Sequence, residues 1–350
     1  MESVKRSTTL VEINLASVQA TNDGMKEIFS ALRGSQNVVS VNVGNIEGKY
    51  KNQMAVSGLK ELEDLLVHNS FIAVLNLSHI RIGDEGFAVI VRALTSNWES
   101  SLVSLNVEHG DISSKSAEAF LELNAKRKVQ VLNINSNKIR SQAAIHLCAS
   151  SFSSLLKLNA SSTNIGNEGV KHFFMELRRS VLRELVLDGN EISPKNMVLL
   201  KETLRMNKLL LVLGLSSCRI SDDTMVTLNE GIFFSTSLQK VNLAQNFIGD
   251  QSMRHYKLLF STKQNNSVLN SLDLSSNQIT DEGGVALTQG LCFQFHVQTL
   301  NLRNNLVGVK SAQIILECLQ NGICKFTHVD LDFNMGISQR LIDEITRAIQ

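Results

Sequence analysis

The 350-residue sequence holds a single proline, Pro194, and only 5% aromatic residues. A chain of this length with varied loops uses more prolines, so their scarcity beside 20 glycines points to one kind of connection used many times. Charge of one sign is missing too. The formal net charge is +1, so no overall field draws the protein to nucleic acid or to an anionic membrane. The longest strongly apolar run, around Leu209 to Leu215, falls far short of the roughly 20 residues that span a bilayer, and membrane insertion is not expected. Met1 to Thr9 contain no apolar h-region and do not read as a secretory signal. The five cysteines (148, 218, 292, 318 and 324) are odd in number and follow no metal-ligand spacing along the sequence. They read as reduced thiols of a cytoplasmic protein, with nuclear or cytoskeletal and axonemal settings also open, and neither a metal nor a cofactor is expected.

What is present is a repeat. The pattern L-x-x-L-x-L-x-x-(N/C/T)-x-(I/V) stands clearly at Leu182 to Ile192 and at Leu269 to Ile279. Further copies start at Leu10, Val38, Ile72, Leu102, Val129, Leu155, Leu210, Leu238, Val297 and Phe326. Most steps lie near 28 residues, long enough for a strand and a true helix in each copy. The residues at places one, four and six should point inward from a short strand, and the residues between them should face solvent. The asparagine at place nine (Asn137, Asn190, Asn246, Asn277, Asn305, Asn334) suits the turn that leaves the strand, where its amide satisfies backbone groups buried by stacking. Thr163 and Cys218 substitute there, while the first four copies carry Val18, Ile46, Ile80 and Gly110 and are less regular. Helix starts follow: Ile82-Gly-Asp-Glu-Gly, Ile165-Gly-Asn-Glu-Gly and Ile279-Thr-Asp-Glu-Gly, with Ser193-Pro194 at the corresponding junction.

The expected fold is therefore an α/β leucine-rich-repeat solenoid, a horseshoe with a parallel sheet on its concave face and helices on its convex face. No linker interrupts it, so a single domain over residues 1–350 is expected, with residues 338–349 as a carboxyl-terminal capping helix. The amino end shows no obvious cap, as in a chain that begins within a longer protein or exposes its first repeat. Over residues 10–349 the pattern resembles the ribonuclease-inhibitor-like leucine-rich-repeat family. That family includes ribonuclease inhibitor, Ran GTPase-activating proteins, tropomodulins, the sensor ends of NOD-like receptors and axonemal scaffolds. The resemblance implies a protein-binding surface and does not select among these functions.

Place five, at the middle of each strand, holds asparagine or aspartate in ten copies, a polar strip that keeps one side of a parallel sheet wet. Val186 and Gly214 break the series. With Val212, and with Glu184 and Asp188 at the edge, they form the candidate patch for a partner's anchor. His79 and His109 occupy place eight of consecutive copies and should lie about 5 Å apart, beside Glu108. Such a pair is able to share a metal or to sense pH, but with no third ligand beyond Glu108 the reading is two solvated histidines.

The second and ninth copies are long, around Glu47 to Met54 and at Arg254-His-Tyr-Lys257. Each holds one of the two tyrosines beside cations, making Lys49, Tyr50, Lys51, Arg254 and Tyr256 a second candidate contact set. Gly48-Lys49 stands where the resemblance to Ran GTPase activators implies a Gly-Arg pair, and lysine is a different donor from arginine. The basic residues Lys126-Arg-Lys128, Arg178-Arg179, Arg183, Arg205 and Lys208 fall at helix-to-strand junctions, where cations suit the helix dipole, and nucleic-acid binding is not expected. No Gly-rich phosphate loop, G-x-S-x-G elbow or H-E-x-x-H helix is present. The sequence thus predicts a non-catalytic scaffold or adaptor for a protein partner. A GTPase activator acting on a small GTPase is the alternative, and a regulatory, cytoskeletal or axonemal subunit of a larger assembly is the third reading.

Overall fold

The computed structural model of the chain describes residues 7–46, 49, 51–124, 128–262, 267–293 and 296–349. It divides into two compact units, one ending at Leu182 and the other beginning at Arg183. The first unit contains strands β1 (Glu12–Asn14), β2 (Ser40–Asn42), β3 (Val74–Asn76), β4 (Ser104–Asn106), β5 (Val131–Asn133) and β6 (Lys157–Asn159). These pair in sequence order and in parallel. They alternate with helices α1 (Asn22–Arg33), α2 (Val56–His68), α3 (Gly83–Ser96), α4 (Ala117–Glu122), α5 (Arg140–Ser151) and α6 (Gly166–Leu177).

The second unit repeats the arrangement with β7 (Glu184–Val186), β8 (Val212–Gly214), β9 (Lys240–Asn242), β10 (Ser271–Asp273), β11 (Thr299–Asn301) and β12 (His328–Asp330). These also pair in parallel, each with the next. Its helices are α7 (Pro194–Met206), α8 (Asp222–Phe234), α9 (Asp250–Phe260), α10 (Asp281–Leu291), α11 (Val309–Gln320) and α12 (Gln339–Ile349). The last of these packs on α11 and β12.

Every strand falls at places three to five of its copy, so the register carries place four onto place four, as in Leu185 on Leu213 and Leu272 on Leu300. These four leucines are fully buried, each contributing roughly 1.5–3 kcal/mol. Parallel strands bring identical places together, and the asparagine at place nine exploits this. The Asn246 amide donates to the carbonyls of Leu215 and Leu243, its oxygen accepting the amides of Cys218 and Ile220. Asn277, Asn305 and Asn334 repeat this link between neighbouring copies.

A second link runs the other way along the chain. Asp222, in the first turn of α8, accepts the amides of Gly249, Gln251 and Ser252, which begin α9. Asp281 does the same for Gly308, Lys310 and Ser311 at the start of α11, and Asp84 binds Ser113 and Ser116. The acidic residues read as partners of their own helix dipole thus also cap the next helix. The junction at Ser193 has its expected form, with the hydroxyl accepting the Asn196 amide and Pro194 opening the helix. Among the described residues no helix is long and apolar enough to cross a membrane.

Candidate functional site

The polar strip at place five has a more particular task than staying wet. In ten copies the side-chain oxygen turns back to accept the amide two residues on, at 2.9–3.2 Å, closing the turn that leaves the strand. Val186 and Gly214, which lie opposite each other in the β7–β8 pairing, have no such oxygen. At β8 the loss is made good from the neighbouring copy, where Asp188 Oδ1 accepts the Ser216 amide at 2.7 Å. A Cβ on residue 214 would stand 2.6 Å from Val186 Cγ1 and 2.9 Å from Asp188 Oδ1, so any larger residue there forces one of these side chains to move. Burial pushes the Asp188 carboxyl above its ordinary range, and the Ser216 amide opposes that in part. Glu184, Val186, Asp188 and Val212 are half-buried and Gly214 is buried, so the structure gathers the predicted patch into one shallow, internally braced surface.

The insertion in the second copy is also partly structural. Lys49 and Lys51 are exposed; Tyr50 and Gly48 lie outside the described residues. Asn52 is buried, its amide donating to the carbonyls of Leu15 and Val43 while its oxygen accepts the Ala20 amide. These are the bonds that a place-nine asparagine makes elsewhere, so the longer loop delivers a substitute for the residue replaced by Ile46. Lys51, Asn52, Met54, His79 and Arg81 line a groove of about 450 Å³ on this side of the first unit.

The ninth-copy contact set needs a correction. Tyr256 is fully buried in α9, stacked on Phe260 with ring centroids 4.0 Å apart, and is a core residue unavailable to a partner. Helical spacing places it on the inward face of α9 with Met253 and Phe260. Arg254 lies on the outer face, exposed and paired with Glu282 at 2.9 Å.

His79 and His109 stack with centroids 4.5 Å apart and planes 20° apart. A metal ion bound by a histidine lies in its ring plane, and nearly parallel rings do not aim at one point, although Glu108 lies within reach of both. The Glu108 carboxylate accepts the amides of Asn133 and Asn135. The cysteines, patternless along the sequence, are not scattered in space: Cys292, Cys318 and Cys324 converge, with Sγ of Cys292 3.0 Å from that of Cys318 and 3.6 Å from that of Cys324.

One surface feature lies outside the candidate sets above. Place eight adopts the left-handed backbone conformation in almost every described copy, filled by serine, glycine, glutamine, asparagine or the two histidines. In the last copy it holds Phe333, at φ +59° and 69% exposed, with the Arg303 guanidinium 4.2 Å from its ring centroid. Phe247, Leu306 and Met335, at place ten of their copies, are also exposed on the turns that leave the strands. The signal was available: a bulky aromatic at a place that demands positive φ.

A profile described as "Leucine Rich repeat" matches residues 265–287. Mouse ribonuclease inhibitor is 24% identical over 323 residues, which cover 91% of this chain and 69% of that protein. Mouse "NACHT, LRR and PYD domains-containing protein 5" is 25% identical over 296 residues, 79% of this chain but only 25% of that much longer protein. Among solved structures, a chain of the yeast Rad7–Elc1 complex shares the fold with a TM-score of 0.55 at 14% identity, covering 93% of this chain and 81% of its own. The repeat, the parallel strands and the asparagine links make the chain a leucine-rich-repeat protein. Within that class it is similar to ribonuclease inhibitor over most of its length.

Proposed function

We propose that the chain is a non-catalytic interaction scaffold that holds a protein partner on the strand-side surface of its second unit. The observation that carries this reading is Phe333. A bulky residue in the left-handed region is disfavoured by roughly 1–2 kcal/mol, and residues held in such conformations cluster at functional sites. Here the ring gains little burial in return, being 69% exposed. With Arg303 over its face and Leu306 and Met335 on neighbouring turns, it has the aromatic, arginine and aliphatic composition of an interface anchor. The patch of Glu184, Val186, Asp188, Val212 and Gly214 on the same unit would extend the contact. Burial pushes the thiols of Cys148 and Cys218 up to about 12, which agrees with structural rather than nucleophilic roles. The basic junction residues also serve the fold: Lys128 donates to the carbonyls of Trp98 and Ser100, and Lys208 to that of Arg205.

The test is capture by the wild-type chain compared with two folded variants, Phe333→Asp/Met335→Asp and Glu184→Lys/Val186→Asp. A stoichiometric partner lost by the first variant supports the reading, and loss by the second as well extends the contact to the β7–β8 patch. A partner retained by both, or accelerated GTP hydrolysis by a captured GTPase that depends on Lys49, would overturn it.

A further inference from the structure

We infer that Cys292, Cys318 and Cys324 form a trithiolate site for a soft d10 cation such as Zn2+. All three Sγ atoms lie within 4.8 Å of one another. Zinc binds thiolates at about 2.3 Å, which in a tetrahedral site sets sulfurs roughly 3.8 Å apart. The separations of Cys292 from Cys318 and Cys324, 3.0 and 3.6 Å, are somewhat shorter and would open by less than about 1 Å on binding.

The backbone brings the three together from different parts of the second unit. Cys292 ends α10, its amide donating to the Thr288 carbonyl. Cys318 lies in the last turn of α11, and the chain then reverses at Gly322, whose φ of +65° places it in the left-handed region open to glycine. The amides of Ile323 and Cys324 both return to the Cys318 carbonyl, at 2.8 and 3.2 Å, which folds Cys324 back over the helix end. A six-residue step thereby becomes a side-chain neighbourhood. Because Cys292 comes from the preceding copy, no local sequence motif records the site.

Two physical features favour a cation at this point. The carboxyl ends of two neighbouring helices meet there, each carrying the negative pole of its dipole. Thiolate ligands select soft ions such as Zn2+ and Cu(I) over Mg2+ or Ca2+. Cys318 and Cys324 are buried and Cys292 is half-buried, which leaves one side from which an ion and a fourth ligand, water or an outside group, can approach. Binding converts three thiols to thiolates around one Zn2+ and releases three protons, with no electron transferred.

The experiment is titration of the reduced full-length chain with Zn2+, followed by calorimetry, and with Co2+, followed by thiolate-to-cobalt absorption. One equivalent is expected, with the cobalt spectrum of a sulfur-rich tetrahedral site. Cys292→Ser, Cys318→Ser and Cys324→Ser should each weaken binding by more than the roughly 10–100-fold typical of changes outside the ligand set, while Cys148→Ser should not. In the wild-type chain, which avoids any folding defect of the variants, bound Zn2+ should protect Cys292 from N-ethylmaleimide. Absence of a tight equivalent, binding indifferent to all three substitutions, or Cys292 alkylated at an unchanged rate would each overturn the assignment. So would a chain that forms a disulfide among these cysteines in preference to taking up the ion under reducing conditions.

Discussion

Asp188 reaches across from its own copy to accept the Ser216 amide at 2.7 Å, and its carboxylate fills the space that a side chain on residue 214 would need. The interruption of the polar series at β7 and β8 is therefore a coupled replacement of two turn-closing residues by one. Gly214→Ala should destabilise the second unit by about 1–3 kcal/mol through overpacking, and Val186→Ala in the same chain should relieve most of that. Urea unfolding of the single and double variants measures it, and additive effects would contradict the coupling.

The same aspartate predicts a pH dependence. Burial raises the folded-state pKa of Asp188 above its unfolded value, so its contribution to stability is full below the unfolded pKa and is lost as pH rises through the folded one. Asp188→Asn keeps an oxygen for Ser216. It should therefore be more stable than the wild type at neutral pH, with the advantage closing as pH falls into the carboxylate range. A pH series of denaturation midpoints reads this directly.

Asp281 runs the opposite way. Burial pushes its carboxyl up, but the Ser311 hydroxyl and the amides of Ser311, Gly308 and Lys310 outweigh that and hold it below the ordinary range. Its contribution is present above the unfolded value of about 3.9 and is lost as pH falls through the lower folded one. Asp281→Ala should cost about 1 kcal/mol at neutral pH, as for other helix caps, and much less in strong acid. Thermal melts at neutral and acid pH, wild type against variant, check both size and sign.

Asn52→Ala should destabilise the first unit by about 2–4 kcal/mol, because it strands the buried carbonyl of Val43 and the part-buried carbonyl of Leu15. Lys49→Ala and Lys51→Ala, on exposed neighbours, should stay within about 0.5 kcal/mol. Chemical denaturation of the three variants distinguishes a loop that carries the ladder from an idle insertion.

The strands, their register and the alternating helices were legible in the sequence because places one, four and six repeat the same inward residues, and parallel stacking needs nothing else to align them. The candidate site was legible only in part. Val186 and Gly214 announced themselves by breaking a series, but Asp188 bonding to the next copy is a contact between positions 28 residues apart that no local pattern encodes. Asn52 was hidden for the same reason, and Cys292, Cys318 and Cys324 meet only through a reversal at Gly322. Tyr256 sits among cations in the sequence, but the helical spacing that sets it beside Phe260 decides its burial.

Phe333→Gly should stabilise the isolated chain by roughly 1 kcal/mol by removing a side chain from positive φ, while weakening partner capture. Stability and binding measured on one sample separate the two effects, and a destabilised variant would show that the ring supports the fold after all.

The aspartate caps have a direction. Asp222 serves the start of α9 and Asp281 that of α11, so each cap is donated by the earlier copy to the later one. During synthesis the chain leaves the ribosome amino end first, and each of these later helices would meet its cap already in place. Those helices can therefore be completed in the order in which they are made, each needing only what has already been translated to fix its first turn.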